Sequence, residues 1–525
     1  MKSFLVSLVI SATCILAGCS GGIGKAPSSG LDRILQENVR RDIFYLASDS
    51  MKGRDTPSPE LDTAAAYIAA AFARAGLRPV DGSYYQRVPL AIVSLSEPNA
   101  LRIRRGAGER AWEIKTDFTP FEMTATRSVR ASLVFAGYGI TAPEYKYDDY
   151  AGINATGKIV VVLRHEPGEE DSGSVFMGKR ATDYSGVATK VRIAREHGAI
   201  GVLVMTDPLN HTSLAPRGFP WPSLSRIIPK DALALTLGAE ESTKVPVVHI
   251  GAAVIEQLFG SVDSLRALQA AIDRETAPRS YAIEGTDAYV ETSTDRRDMS
   301  ARNVVGIMPG SDPRHRDETV IIGAHYDHVG YRRDHVPGER YIFNGADDNA
   351  SGTCALLAVA AGLGGLPSAP RRSVFCIAFA GEEKGLFGSE YYARAPLLPL
   401  KNTVAMLNMD MVGRNHPDSL QLIGTEGSPE LAAIVREENR HEGFIVAETK
   451  LVSGGSDHMS FMKRKIPNLF FTTGLEEVYH TVNDRPELID TRKVARVARL
   501  VFLTAYRIAN DSVRYQYIPK PISLF

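Results

Sequence analysis

Three short apolar runs in the last two fifths of this 525-residue chain end in, or lead straight into, side chains that bind protons or metals. They are Val320–His325 (VIIGAH), Val374–Ala380 (VFCIAFA) leading into Gly381-Glu382-Glu383, and Thr403–Asp410 (TVAMLNMD). Runs of this length, separated by helix-like segments such as Ser351–Leu363, read as parallel strands buried on both faces. In sheets of that kind ligands gather outside the carboxyl ends of the strands. His325, Glu382, Glu383 and Asp410 are therefore expected to meet at one edge, far apart in sequence though they are. The expected class is α/β, with a mixed, mostly parallel central sheet flanked by helices.

Asp327, Asp348 and His480 complete a set of donors suited to metal ions. Zinc accepts imidazole nitrogen and carboxylate oxygen, and a catalytic site keeps one position for water. If Asp348 bridges two ions, His325 and Asp410 hold one while Glu383 and His480 hold the other. Two divalent cations against three carboxylates leave a net positive charge, which favours a bridging hydroxide at neutral pH. Asp327 lies two residues after His325, so on an extended backbone both side chains share a face and the carboxylate can orient the imidazole. Glu382, crowded by its neighbour Glu383, is left to act as the general base. Tyr479 can offer its hydroxyl to a developing oxyanion. Taken singly, these pieces are ordinary: a surface His-Asp pair, a solvated Glu-Glu, a capped loop at Asp347-Asp348-Asn349. Only the ordered set carries the reading. His328, His335, His416 and His458 are expected to stand apart from it.

The set resembles a known family. His325-Tyr326-Asp327, Gly345-Ala346-Asp347-Asp348-Asn349-Ala350-Ser351-Gly352, Gly381-Glu382-Glu383, Asn408-Met409-Asp410-Met411, Ser456-Asp457-His458 and Tyr479-His480-Thr481 are similar to the M28 family of co-catalytic zinc aminopeptidases. The likeness covers roughly residues 285 to 510, and Leu46 to Leu77 resembles that family's opening segment. It implies two Zn2+ ions held by His325, Asp348, Glu383, Asp410 and His480, with Asp348 as bridge and Glu382 as base. It further implies a cis bond at Asp348-Asn349 and peptide substrates with a free N-terminus. Ser456-Asp457-His458 and Arg414 are candidates to face the substrate.

The chain opens with Met1-Lys2, an apolar run from Phe4 to Leu16, and Leu16-Ala17-Gly18-Cys19. That run is too short to span a bilayer and reads as an export signal. Its last four residues resemble a bacterial lipobox, which implies cleavage before Cys19 and a lipid anchor on its thiol. The expectation is a protein of the cell envelope, anchored to a membrane at the periplasm or cell surface, with a signal at 1–19 and a tether at 20–30. Of four cysteines, Cys354 and Cys376 fall in a helix-like and a strand-like run, so buried free thiols are expected there. A formal net charge of -1 gives no reason to invoke nucleic acid.

Two pieces of peptidase domain, 31–84 and 284–525, flank an insertion at 85–283. Within it Ser132–Ala136, Lys158–Leu163, Gly201–Met205 and Val245–Ile250 read as strands and Val187–His197 as a helix. Phe135–Ile140, Gly157–Val162 and Ala194–Val204 resemble a protease-associated (PA) domain, a smaller β-rich α/β unit. Pro216–Pro222 (PRGFPWP) reads as a loop, and Thr491–Asn510 as an amphipathic helix with a core-facing stripe.

The expected function is a di-zinc aminopeptidase. A carboxypeptidase or amidohydrolase of the M20 type usually carries its extra domain between ligands, whereas this insertion precedes His325. A glutaminyl cyclase would use one zinc, and a non-catalytic receptor-like binding module would have lost ligands that are intact here. No G-x-S-x-G elbow supports a serine hydrolase.

Overall fold

A computed structural model of the chain describes residues 27–171, 173–176, 178, 182–216, 235–238, 243–332, 335–449 and 455–518. The expected export signal with Cys19, the tether up to Ala26 and residues 217–222 of the proline-rich loop lie outside the described residues. The far end of the expected tether takes another form: Ser28–Leu31 is a helical turn. Its Gly30 is packed so closely against Phe502 that an added Cβ would come within 2.5 Å of the ring.

The larger of two main sheets has nine strands. Their order is Thr236–Leu237, Tyr85–Leu95, Thr294–Met308, Ser373–Phe379, Thr319–His325, Thr403–Met409, Asn468–Thr472, Ser419–Ile423 and Ile445–Thr449. The three apolar runs of the sequence form its centre and are parallel to one another, with His325 level with Phe379 and Gly323 with Asn408. Every residue of these three strands is buried. Their side chains alternate between two cores: Val320, Ile322 and Ala324 join one, and Ile321 joins Phe375, Ile377 and Phe379 in the other. Helix Gly352–Gly364, apolar around most of its circumference, is buried between the sheet and helix Thr491–Asn510. The latter begins at Asp490, whose carboxylate accepts the Arg492 and Lys493 N–H groups.

The second sheet, of eight strands, has the order Gly108–Trp112, Ala100–Arg105, Tyr281–Thr292, Arg127–Phe135, Ile159–Leu163, Gly201–Met205, Val247–Ile250 and Phe118–Pro120. It has a core on each face. Strand Tyr85–Leu95 lies within the stretch expected to be insertion, yet it pairs antiparallel with Thr294–Met308 in the larger sheet, from Tyr85 opposite Val304 to Leu95 opposite Thr294. Strand Tyr281–Thr292 lies astride the expected return point, yet it pairs wholly within the smaller sheet. The change of sheet therefore falls at about Ser96 and Ser293, whose hydroxyls meet at 2.9 Å. Cys354 and Cys376 are free and buried.

One residue of the N-terminal segment fixes the loops above the central strands. Arg54 is 1% exposed, and its guanidinium donates to the carbonyls of Tyr326, Asn344 and Gly345, each at 2.8 Å, and to that of Leu46. Burial lowers its pKa while Asp327 and Asp484 oppose this, and a guanidinium keeps its charge in such a setting. Replacing Arg54 by Met would leave these buried carbonyls without donors and the neighbouring acids without a counter-charge. The expected cost is about 3–5 kcal/mol, read as a lower midpoint in chemical denaturation. An unchanged midpoint would show that the guanidinium does not hold the loops.

Candidate metal centre

The carboxyl ends of the central strands bring the expected donors together. His325 is the last residue of its strand, Asp410 follows the strand Thr403–Met409, and Glu382-Glu383 follow Ser373–Phe379 by way of Gly381 at φ +75°. Asp348 comes from the turn Ala346–Ser351 and His480 from the loop after Asn468–Thr472. The turn enters through Gly345 at φ +60°, where an added Cβ would lie 2.4 Å from both the Asp348 carbonyl oxygen and the His328 ring. The Asp348-Asn349 bond is cis, as the resemblance implied.

Asp348 stands between two groups of donors. Its Oδ1 lies 3.3 Å from His325 Nε2, which is itself 3.3 Å from Asp410 Oδ1. Its Oδ2 lies 3.0 Å from His480 Nε2, which is 3.0 Å from Glu383 Oε2. Glu382 Oε2 approaches the first group, 3.9 Å from His325 Nε2. Facing donor atoms lie within 4.8 Å of one another in the group His325, Glu382 and Asp410 and in the group His328, Asp348, Glu383 and His480.

The site also contains a residue that the sequence did not single out. His328, expected to stand apart, is fully buried with Nδ1 2.8 Å from Glu383 Oε1 and 3.6 Å from Asp348 Oδ2. Its place three residues after His325 on the same loop was the available signal. His458 does stand apart: it stacks on Phe470 with ring centroids 4.8 Å apart, and burial lowers it to about 3, keeping it neutral. Ser456, Asp457 and His458 are all buried, so they present no surface to a substrate. Arg414 is engaged by the Glu476 carboxylate and the Leu488 carbonyl. Tyr479 is partly exposed and stacks on His480 at 3.9 Å between centroids. Burial raises its phenol, and the charges of Asp348 and Glu383 raise it further, so it stays protonated.

The donors are held from behind. Asp327, fully buried, accepts from the Thr56 hydroxyl at 3.0 Å and from the Glu382 N–H at 3.1 Å, and its Oδ1 lies 3.6 Å from His325 Nδ1. His325 Nδ1 is hydrogen-bonded to the Asp327 backbone carbonyl at 3.3 Å, with the carboxylate behind it, and this turns Nε2 toward Asp348 and Asp410. Asp484 accepts from the N–H groups of Asp347 and Asp348 at 2.8 and 3.0 Å. Asn349 donates to the Met409 carbonyl and accepts from Gly352, tying the turn to the strand that delivers Asp410.

The electrostatics show what such a set lacks. Burial pushes the Glu382 carboxyl well up, with Glu383 and Asp410 adding to the effect, and burial raises Asp410 as well. Against the same burial, the facing imidazoles of His325 and His480 hold Asp348 well down. His480 loses basicity to burial but is raised to about 10 by Asp348 and Glu383. Buried His325 Nε2, His328 Nε2 and Asp410 Oδ1 have no hydrogen-bond partner. Unpartnered imidazole nitrogen facing carboxylate oxygen at just over 3 Å fits a divalent cation, and this mixture of nitrogen and oxygen donors suits zinc.

The ends of the central strands thus gather imidazoles and carboxylates in an arrangement suited to hold metal ions. Residues 303–505 match the model of Peptidase family M28, and residues 129–258 match that of the PA domain. Each of these segments is less than half of the chain, and they are similar to a peptidase domain and to a PA domain respectively. It is 30% identical over 233 residues to Aminopeptidase YwaD of Bacillus subtilis (strain 168), covering 43% of this chain and 47% of that one. It is 27% identical over 240 residues to a probable leucine aminopeptidase of Trichophyton verrucosum (strain HKI 0517), covering 44% and 64%. The chain therefore spans less than two thirds of the length of either relative. Among solved structures, an aminopeptidase from Aneurinibacillus sp. strain AM-1 aligns over 95% of this chain and 98% of that chain, at 23% identity and a TM-score of 0.48.

If Asp327 orients His325, the Asp327→Ala variant should bind zinc about 10–100-fold more weakly. Competition against a chromophoric chelator measures this, and wild-type affinity would assign the orientation of His325 to other contacts.

Proposed function

We propose that the chain is a di-zinc aminopeptidase that removes N-terminal residues from peptides. The observation that carries this reading is the position of Asp348, whose two oxygens face separate donor groups. His325, Asp410 and Asp348 would hold one ion, and Glu383, His480 and Asp348 the other, with His328 bonded to Glu383 behind the second. When bound, the ions supply Lewis acidity, which polarises the scissile carbonyl and lowers the pKa of water.

The protein's own groups supply the rest. Glu382 takes no part in either set of three ligands, and its Oε2 lies at the edge of the first group. It accepts a proton from the attacking water and returns it to the leaving amine. Burial raises its proton affinity, so its carboxylate is a stronger base than one in water. Asp327 keeps the His325 ring in place, and the Tyr479 hydroxyl, protonated and beside His480, donates to the developing oxyanion. The names of the relatives, aminopeptidase and leucine aminopeptidase, support a substrate with a free N-terminus.

Glu382→Gln should keep its zinc while turnover of aminoacyl anilides falls by about 10²–10⁴-fold. N-acetylated anilides should not be cleaved by the wild type, and chelation should abolish activity until zinc is restored. Near-wild-type turnover in Glu382→Gln would remove the base assignment. Cleavage of blocked substrates at the rate of free ones would overturn the aminopeptidase reading.

Export and anchoring are part of the same proposal, supported by the sequence Leu16-Ala17-Gly18-Cys19 after its short apolar run. The protein would then work in the cell envelope, held to a membrane by lipid on Cys19. Among the described residues no helix is long and apolar enough to cross a membrane. In cells expressing the full chain, Cys19→Ala should move the protein from the membrane fraction to the soluble one. Retention at the membrane would dispose of the anchor.

A further inference from the structure

The PA domain contains a donor cluster of its own. Strands Ile159–Leu163 and Gly201–Met205 run parallel in register, Leu163 beside Met205, so the residues just past their carboxyl ends emerge together. Those residues are His165 and Asp207, and four positions further along each loop come Glu169 and His211. Asp207 Oδ1 lies 2.6 Å from His165 Nδ1, and Asp207 Oδ2 lies 3.5 Å from His211 Nε2. Glu169 Oε2 lies 3.0 Å from His211 Nε2 and 3.7 Å from His165 Nδ1. The two imidazole rings face each other with centroids 4.3 Å apart.

Two observations distinguish this cluster from a pair of surface ion pairs. Asp207 is fully buried, and its Oδ2, directed at His211, has no hydrogen-bond partner. In addition, one nitrogen or oxygen from each of the four side chains lies within 4.8 Å of the others, close enough for a single ion with bonds of about 2.0–2.1 Å to draw them together. The surroundings hold the donors in place. Lys190, fully buried, donates from Nζ to the carbonyls of His165 and Tyr138. Asn210 donates to Glu169 Oε2 at 3.2 Å, and the Asp207–His211 loop is pinned to helix Val262–Glu275 through Leu209 N–H to Gln269 and Arg266 to the Pro208 carbonyl.

We propose that His165, Glu169, Asp207 and His211 bind a zinc ion within the PA domain. All four positions are filled by protein, two imidazoles and two carboxylates, so the ion is neutralised and no coordination position is left for a substrate. Its role is structural: it joins the loops after two neighbouring strands and places a cation against the buried Asp207.

The test uses the full chain, loaded with Zn2+ and freed of excess, with zinc counted per chain by mass spectrometry. His165→Ala/His211→Ala should contain one zinc fewer than the wild type while hydrolysing aminoacyl anilides at the wild-type rate. Because the result is a difference, it does not depend on how many ions the peptidase domain holds. Equal zinc content in the two proteins would overturn the proposal. If the double variant fails to fold, Glu169→Gln, altered at a partly exposed side chain, should bind the same ion at least tenfold more weakly. Crystals of the zinc-loaded wild type provide a measurement without substitution. An anomalous peak at the zinc edge among the four side chains is expected, and its absence there, with peaks present at Asp348, would also overturn the proposal.

Discussion

Burying Asp348, Glu382, Glu383 and Asp410 beside one another is the constraint on which the rest of the peptidase domain depends. Ionised carboxylates removed from water are strongly unfavourable unless cations and hydrogen-bond donors accompany them. The chain's own groups meet this only in part. It raises Glu382 and Asp410 toward their neutral forms and charges His480 against Asp348 and Glu383. Two divalent ions would replace that compromise with direct charge neutralisation, so metal binding and the stability of the strand ends are thermodynamically linked.

A donor set of that kind must be held in place, because mutual repulsion would otherwise spread the loops apart. The supporting groups come from distant parts of the chain. Arg54 joins the N-terminal segment to Tyr326, Asn344 and Gly345, the stretches that precede Asp327 and Asp348. Thr56 fixes Asp327, and Asp484 fixes the peptide N–H groups of Asp347 and Asp348. Asp327 and Asp484, which support the donors, are also the acids that favour the charged form of Arg54. The site thus rests on a second layer of paired charge, in which the guanidinium is cationic and the two acids accept backbone or hydroxyl protons. Loss of any one of these groups would be felt through the geometry of the donors, even by residues that touch no ion.

How far the sequence revealed this follows from the range of each interaction. The central strands were legible because unbroken apolar runs ending in polar residues have few other uses, and Gly201–Met205 in the smaller sheet was recognisable for the same reason. Helix Thr491–Asn510 was legible from its apolar stripe. The donors themselves were recognisable as residue types at strand ends. Arg54 was not, because it acts on a carbonyl 272 positions away, and neither composition nor periodicity marks an arginine as buried. His328 was set aside because nothing in the local sequence marks which carboxylates its ring will meet. Strand Tyr85–Leu95 was assigned to the insertion because its partner, Thr294–Met308, lies some two hundred residues further on. Pairing at that distance leaves no local trace.

The two clusters of the molecule obey one topological rule and differ in stoichiometry. Each forms where parallel strands end side by side, because neighbouring loops there start from fixed and adjacent points. At the larger sheet Asp348 faces both ways, toward His325 on one side and His480 on the other, so the donors divide into two groups. Under the proposed reading each ion would keep a position for water, with Glu382 beside them as base. In the PA domain the four donors converge on one point and none is left over. The count of carboxylates against imidazoles, two and two, balances one divalent cation. A site so balanced has no reason to bind water tightly or to polarise a carbonyl, and the closure of its loops is where its binding energy is expressed.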